Sequence, residues 1–380
     1  MTMKIPFNWP TLVGAEFEYL REALDRGRLS GNGDFSRRCH SLLQARTGVH
    51  KALLTHSATA ALEMAAILAE IGPGDEVIMP SFTFCSTANA VVLRGGVPVF
   101  VEIRPDTLNI DEAAIEAAIT PRTRAIFVVH YAGVAAQMDA IMEIAARHGL
   151  HVIEDAAQAL HANFRGQPLG SFGMTSAISF HETKNLISGE GGALLVTDPD
   201  VAERAEIIWE KGTNRAQFQR GEVARYTWVD IGSSFLPSEL TAAFLLAQLE
   251  AGEDVTSRRL AAWEHYHAAL QPLEARGILR RPRVPQECGH NGHIYFVLAA
   301  HAQQRDAALA RLTAVGVNAV MHYVPLHSSP AGLRYGRANG PLPLTDDLSA
   351  RLIRLPLHPR ITPEEQAVVV HALGDVLVAA

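Results

Sequence analysis

The stretch Ser179-Phe-His-Glu-Thr-Lys-Asn-Leu-Ile-Ser-Gly-Glu-Gly-Gly192 decides how the rest of the chain is interpreted. A β-type apolar run leads into it, and Gly192-Ala-Leu-Leu-Val-Thr197 predicts the next strand. Lys184 therefore stands where a buried strand enters a glycine-rich turn, whereas most lysines are solvated surface charges. An amine in such a place is suited to form a Schiff base with an aldehyde cofactor or a carbonyl substrate.

Strand-like and helical segments alternate on both sides of this stretch. Strands are predicted near 51–55, 76–80, 97–103, 125–130, 151–155, 175–180 and 192–197. Helices are predicted at about 57–70, 85–94, 111–119, 137–148 and 199–211. This alternation indicates an α/β fold with a mostly parallel sheet covered on both faces. Such sheets bind ligands beyond the carboxyl ends of their strands.

The two ends of the chain follow other patterns. Amphipathic helices are predicted at 11–27 and 34–47, a polar mobile or binding loop within 212–236, and a long helix at 237–275. A smaller α+β unit follows Pro282, with strands at 293–300 and 317–323 and helices at 303–315 and 363–378. We expect a large domain of residues 1–248 and a small C-terminal domain of residues 249–380.

Composition limits the function classes. The net charge of -7 argues against a broad nucleic-acid surface. The three cysteines are far apart and fit reduced thiols better than a disulfide framework. The N-terminus lacks a signal-peptide core, and no apolar run reaches membrane-spanning length. We expect a cytoplasmic protein that neither binds nucleic acid nor inserts into a membrane.

Adjacent carboxylates end the predicted strand at 151–155. Glu154 and Asp155 point to opposite faces if the strand continues through them. Both are solvated or ion-paired in the simplest interpretation. In the alternative, Asp155 meets the ring nitrogen of a pyridine cofactor and keeps it protonated, so that the ring accepts electrons.

The start of the helix near residue 57 offers a phosphate site. Ser57 or Thr59 is an ordinary N-cap in the simplest interpretation. The same geometry presents free amides and a positive dipole end to a phosphate, and Ser179 is placed to add a hydroxyl. Phe82 and Phe84 follow the next strand, where either packs in the core or lies on a cofactor ring.

Histidines and one cysteine leave further alternatives. The spacing of Cys288, His290 and His293 fits no familiar zinc pattern, so we expect no metal. His322 and His327 flank a Tyr-Val-Pro-Leu segment that is either a structural turn or a substrate-binding loop. We favour substrate contact for these two and for His181.

Taken together, the motifs resemble the DegT/DnrJ/EryC1/StrS family of sugar aminotransferases. The shared order is a phosphate turn, an aromatic residue, Glu154-Asp-Ala-Ala-Gln158, and Ser179-Phe-x-x-x-Lys184 with Gly189-Glu-Gly-Gly192. The resemblance extends from Ile5-Pro-Phe to Arg354-Leu-Pro-Leu. It implies the aspartate-aminotransferase fold (fold type I), pyridoxal 5′-phosphate as cofactor, and a homodimer with shared active sites.

The resemblance also implies residue roles. Lys184 carries the cofactor and acts as the base. Asp155 pairs with the ring nitrogen, Gln158 lies near the ring hydroxyl, and Phe84 stacks on the ring. Ala58, Thr59 and Ser179 match the positions that bind the cofactor phosphate in the family.

One motif departs from the family. Many members have Gly-x-Asn-x-Arg where this chain has Gly232-Ser-Ser-Phe-Leu236. Asn214, Arg215 and Ser234 are the candidates to supply the contacts of the neighbouring subunit.

The resemblance implies L-glutamate as amino donor and a nucleotide-linked 4-keto-6-deoxy sugar as acceptor. A same-fold dehydratase would have histidine in place of Lys184. A non-catalytic regulatory protein would not need the Lys184 and Asp155 pair.

Overall fold

The computed structural model describes residues 4–378. Its strands are β1 (Lys51–Thr55), β2 (Glu76–Pro80), β3 (Val97–Val101), β4 (Thr123–Val129), β5 (His151–Asp155), β6 (Asn163–Phe164), β7 (Gln167–Pro168), β8 (Thr175–Ser179), β9 (Gly192–Val196), β10 (Cys288–Gly289), β11 (Tyr295–Leu298), β12 (Arg337–Ala338) and β13 (Leu352–Leu355). Its helices are α1 (Glu16–Asp25), α2 (Asp34–Thr47), α3 (Ala58–Leu68), α4 (Cys85–Val92), α5 (Met138–His148), α6 (Ala202–Trp209), α7 (Arg215–Gln219), α8 (Glu239–Glu250), α9 (Gly252–Ala275), α10 (Ala302–Ala314), α11 (Pro330–Tyr335), α12 (Pro343–Arg351) and α13 (Pro363–Leu377).

The central sheet has eight strands in the order β1-β9-β8-β5-β4-β2-β3-β12. β9 pairs antiparallel with β1 and β8, and the other neighbouring pairs are parallel. The predicted α/β fold with a mostly parallel sheet is confirmed. β12 is an addition that the sequence did not predict, and it reaches the sheet from the C-terminal part of the chain.

Successive residues of the inner strands face two different cores. In β4, Ile126 and Val128 pack with residues of α2, α5 and α8, whereas Ala125 and Phe127 pack with residues of α3, α4 and α6. Because side chains alternate across a strand, helices on both faces make the whole strand apolar. The carboxyl ends of β2, β4, β5 and β8 meet at one edge of the sheet, since these strands are parallel.

The C-terminal unit is built on the antiparallel pair of β11 and β13. Residues of α9, α10 and α13 form its core. The leucines of α8 belong instead to the core beneath the large sheet. We propose that the predicted boundary at 248/249 lies at Ala251, between α8 and α9. Residues 1–3 and 379–380 of the predicted domains lie outside the described residues.

Three predicted elements are wrong in detail. The helix predicted at 237–275 is interrupted at Ala251, where Gly252 packs so closely that a Cβ would lie 2.6 Å from His161 Cε1. Residues 111–119 form two short 3-10 turns, because Ile119 is already extended. Residues 317–323 make only single bridges, from Val317 to Ile5 and from Val320 to Arg354.

A helix that crosses a bilayer needs about 20 consecutive apolar residues. Between residues 4 and 378, none is both long and apolar enough to cross a membrane.

Candidate active site

A cavity of about 610 Å³ opens at the carboxyl edge of the sheet, and both units line it. The predicted site residues that line it are Ala58, Thr59, Phe84, Asp155, Gln158, Ser179, His181, Lys184 and His322. Asn214, Ser234 and His327 are not part of its lining. Residues as far apart in the sequence as Ala58 and Lys184 thus meet where the strands of the large unit end.

Lys184 follows β8 in a tight turn, where its backbone N–H donates to His181 O at 2.9 Å. Its side chain is half-buried in the cavity wall. Burial lowers the pKa of Lys184 to about 8, the charge of Asp155 opposes this shift, and the charge of Arg354 adds to it. A lowered pKa leaves more of the amine neutral near pH 7, and the neutral amine is the nucleophile.

Glu154 and Asp155 point to opposite sides of the sheet, as the strand pattern predicts. Glu154 is fully buried and accepts hydrogen bonds from the N–H groups of Gly170, Phe172 and Gly173. Asp155 lines the cavity, where Oδ2 accepts from Thr87 Oγ1 at 2.7 Å. Glu154 therefore secures the fold, while Asp155 is a carboxylate fixed in the cavity wall.

The N-terminus of α3 forms the opposite part of this wall. Ser57 Oγ accepts from Ala60 N at 3.1 Å, so Ser57 is the N-cap. Thr59 Oγ1 lies 2.7 Å from Ser86 Oγ, a hydroxyl that the sequence interpretation missed. A Cβ on Gly192 would lie 2.4 Å from Ala58 N, so only glycine allows β9 to pass beneath the helix start. The free amides of the first turn and these hydroxyls are suited to a phosphate.

The two phenylalanines after β2 have different environments. Phe82 is fully buried, whereas Phe84 is 55% exposed and lines the cavity. The ring centroid of Phe84 lies 6.3 Å from that of Tyr323. Phe84 is thus the residue with a ring face available to a ligand, and Phe82 is a core residue.

These groups fit pyridoxal phosphate. Lys184 offers an amine for the aldehyde, Asp155 a carboxylate for the ring nitrogen, Phe84 an aromatic face, and the start of α3 a phosphate cradle. The close approach at Gly192 is a structural observation in favour of a ligand there, since a larger residue would disturb the cradle.

Hydrogen bonds connect the large unit with residues 322 and 323. Gln158 Oε1 accepts from Ala132 N at 2.7 Å, and its Nε2 donates to Tyr323 OH at 3.1 Å. His322 Nδ1 lies 3.0 Å from Tyr131 OH. Burial holds the pKa of His322 far below its ordinary value, so the ring is neutral at physiological pH.

His181 is more open. Its Nδ1 lies 2.9 Å from Thr183 Oγ1, and its Nε2 lies 3.7 Å from Glu190 Oε1. It lines the cavity beside Lys184, where substrate contact stays a prediction.

His327 lies outside the cavity lining, and its predicted substrate contact stays a prediction. Its Nδ1 lies 2.8 Å from Ser81 Oγ and its Nε2 3.4 Å from Asp346. The contact with Ser81 ties the segment after residue 323 to the end of β2.

Asn214 and Ser234 lie in the loop that follows α6. Asn214 Oδ1 accepts from Thr227 N at 2.7 Å, and Ser234 is exposed beside its bridge partner Glu210. Their predicted cofactor contacts belong to a second subunit and stay a prediction.

His293 and Arg354 line the cavity but were not predicted as site residues. Asn185 Nδ2 donates to Asn291 O at 2.9 Å, so its Oδ1 accepts from His293 Nδ1–H at 2.8 Å. This leaves His293 Nε2 as an acceptor. In the sequence, Arg354 stood out only as part of the Arg354-Leu-Pro-Leu motif, and that motif did not indicate a role for the arginine.

The three residues weighed as a metal site point apart. Cys288 lies in β10 and pairs with Phe164 of β6, and the ring centroid of His290 lies 4.4 Å from that of Trp263. Within residues 4–378, no three His, Cys, Asp or Glu side chains are grouped to hold a metal ion.

Comparison with known proteins agrees with this geometry. The family model of the DegT/DnrJ/EryC1/StrS aminotransferase family matches residues 10–374. The spore coat polysaccharide biosynthesis protein SpsC of Bacillus subtilis (strain 168) is 32% identical over 384 residues, covering 98% of this chain and 97% of the relative.

Solved structures are similar over the same length. The aminotransferase TlmJ of Streptoalloteichus hindustanus has a TM-score of 0.88 at 30% identity and covers 99% of this chain and 98% of its own. DesV of S. venezuelae has a TM-score of 0.89 at 31% identity, covering 99% of each chain. The predicted enzyme class and its cofactor, pyridoxal phosphate, are confirmed at the level of the family. The chain belongs to the DegT/DnrJ/EryC1/StrS aminotransferase family.

Proposed function

We propose that this protein transfers the amino group of L-glutamate to C4 of a nucleotide-linked 4-keto-6-deoxy sugar, with pyridoxal phosphate as cofactor. The observation that carries the proposal is the joint presence of the Lys184 amine and the Asp155 carboxylate in one cavity. The relative SpsC, named for polysaccharide biosynthesis, supports a sugar as the acceptor. Lys184 also argues against a dehydratase of the same fold, in which histidine replaces the lysine.

The cofactor supplies an aldehyde that bonds to amines and a ring that withdraws electrons from the adjacent carbon. Lys184 Nζ would hold the cofactor, and as a free amine it would then accept a proton from the α-carbon of the donor. The same amine returns a proton to C4 of the sugar in the second half of the reaction. Asp155 would stabilise positive charge at the ring nitrogen, and Thr87 fixes its carboxylate by the 2.7 Å hydrogen bond.

The finer proposal names the sugar. We infer conversion of dTDP-4-keto-6-deoxy-D-glucose to dTDP-4-amino-4,6-dideoxy-D-galactose, for surface polysaccharide such as enterobacterial common antigen. The support is similarity of four motifs to the transaminase of that reaction: Met79-Pro-Ser-Phe-Thr-Phe84, Phe180-His-Glu-Thr-Lys-Asn185, Glu210-Lys-Gly-Thr-Asn-Arg215 and Asp230-Ile-Gly-Ser-Ser-Phe235. The alternatives are the 4-amino-4,6-dideoxyglucose epimer and a UDP-linked sugar.

The proposed enzyme is a cytoplasmic homodimer with shared active sites. Free Cys39, Cys85 and Cys288 support a reducing compartment. Family resemblance supports the dimer, with Asn214 or Ser234 as contributors from the second subunit.

The test is incubation with dTDP-4-keto-6-deoxyglucose and L-glutamate, followed by NMR of the product. The proposal predicts an axial amine at C4, the galacto configuration. An equatorial amine would show that the product is the gluco epimer. If the sugar stayed unaltered in the presence of glutamate, the proposed acceptor would be wrong.

A further inference from the structure

Arg354 is a cation without an acidic partner in the cavity wall. Its side chain lines the same cavity as Lys184. Among residues 4–378, no carboxylate forms an ion pair with it, and its Nε is buried without a hydrogen-bond partner. A desolvated charge without a partner is unfavourable unless a ligand of opposite charge completes it.

A second buried arginine shows what a satisfied one looks like. Arg259 donates to the carbonyl oxygens of Gly292, His293 and Leu357, at 3.1, 2.7 and 3.2 Å. Its guanidinium is therefore used by the fold. Arg354 has no comparable set of acceptors within the described chain, so its donors remain for a ligand.

The orientation of Arg354 is fixed from two directions. Its backbone N–H donates to Val320 O at 2.7 Å, and it pairs with Phe296 across the two-stranded sheet. Its guanidinium carbon lies 4.6 Å from the ring centroid of Phe7. The aromatic ring covers the guanidinium, and a cation–π contact of this kind favours one placement of the charge.

We propose that Arg354 binds the α-carboxylate of the amino donor, with Phe7 as the residue that positions the guanidinium. The proposal rests on the proposed transamination. In an amino acid, the carboxylate is attached to the carbon that bears the reacting amine, so it must lie beside Lys184. The diphosphate of a nucleotide sugar is attached at C1, across the ring from C4, and is held further from that lysine. A guanidinium also matches a carboxylate by two parallel hydrogen bonds.

The test uses the cofactor-loaded enzyme and two kinds of readout. Calorimetry measures the Kd of maleate, a dicarboxylate without an amine, and of dTDP. Absorbance follows conversion of the cofactor by L-glutamate and by 4-aminobutanoate, which lacks the α-carboxylate. Arg354→Gln should weaken maleate binding and lower kcat/KM for glutamate by roughly 100-fold, because a buried charge pair is lost. Arg354→Lys should fall between, since the charge remains without the fork.

The positioning role has a matched control. Phe7→Leu should weaken maleate binding by roughly 3- to 10-fold, the scale of a cation–π contact. Trp9→Leu should change nothing, because Trp9 lies over Arg360 at 4.9 Å and is 45% exposed.

The outcomes separate the possible failures. Unchanged dTDP affinity and slow 4-aminobutanoate turnover that is equal in wild type and Arg354→Gln would support the proposal. Loss of dTDP affinity with unchanged maleate affinity would overturn it and assign Arg354 to the diphosphate. Equal glutamate turnover in wild type and Arg354→Gln would also overturn it. Failure of wild type to react with any amino donor would instead overturn the proposed transamination.

Discussion

Two walls of the cavity differ in origin. We call Ala58, Thr59, Asp155, Ser179 and Lys184 the large-unit wall, since they stand at a strand end, in the turn after a strand, or at the start of a helix. His293, His322, Tyr323 and Arg354 form the C-terminal wall, which comes from loops and a two-stranded sheet. Secondary structure alone brings the large-unit residues together. The C-terminal residues reach the cavity only because the second unit packs against the first.

The comparison predicts that the largest losses come from the large-unit wall. Lys184→Ala should lower the rate of amine transfer by at least about 10⁴-fold, because it removes both the covalent partner and the base. Single-turnover absorbance with glutamate measures this rate. Lys51→Ala is the control, since Lys51 is paired with Glu206 at 2.7 Å outside the cavity lining. Near-normal transfer by Lys184→Ala would contradict the role.

Adjacent carboxylates of the same strand should separate catalysis from folding. Asp155→Asn should slow the reaction by roughly 10²- to 10³-fold with little change in the urea midpoint, because a charge at the reacting ring is lost. Glu154→Gln should lower the urea midpoint instead, because the carboxylate accepts from three backbone N–H groups and the amide NH2 that replaces one of its oxygens cannot accept. The same effect from both variants would break the distinction between them.

The phosphate cradle should depend on the absence of a side chain at Gly192. Gly192→Ala should weaken cofactor affinity by roughly 10- to 100-fold, because its Cβ would lie 2.4 Å from Ala58 N and displace the start of α3. Equilibrium dialysis of the apoprotein with pyridoxal phosphate measures the affinity. Gly374→Ala is the control, since no atom lies within 4 Å of its added Cβ. Equal affinities of the two variants would argue against the cradle.

The smallest expected effect is a shift in the pH midpoint at which Lys184 loses its charge, to which one residue of each wall contributes. The fraction of Lys184 that is neutral should rise with pH through a midpoint near 8. Asp155 favours the charged amine and Arg354 disfavours it, so Asp155→Asn should move the midpoint down and Arg354→Gln should move it up. The pH dependence of cofactor capture by the apoprotein measures this midpoint. Shifts of the opposite sign would contradict the placement of these charges.

The two walls also differ in how far the sequence predicted them. Lys184, Asp155 and the start of α3 lie where apolar strands end, and parallel strands must bring those ends to one edge. The fold and this wall were therefore predictable from pattern and resemblance. Arg354 was quoted only within a motif, since nothing in a β-strand pattern shows that its guanidinium lacks an acidic partner.

His327 also shows how far the sequence could predict the C-terminal wall. It stands five positions from His322 in one short segment, and sequence alone gave both the same role. The structure separates them, because the His327 ring faces Ser81 while His322 lines the cavity. Only the path of the chain between them decides which of the two histidines lines the cavity.

The most direct measurement is borohydride reduction of the purified, cofactor-loaded protein, followed by peptide mapping. Borohydride reduces a C=N bond and fixes the cofactor to the lysine that holds it. The chain has four lysines, Lys4, Lys51, Lys184 and Lys211, so the assignment is unambiguous. We expect the reduced cofactor on Lys184. Labelling of Lys4, Lys51 or Lys211 in its place, or no labelling of a yellow protein, would contradict it.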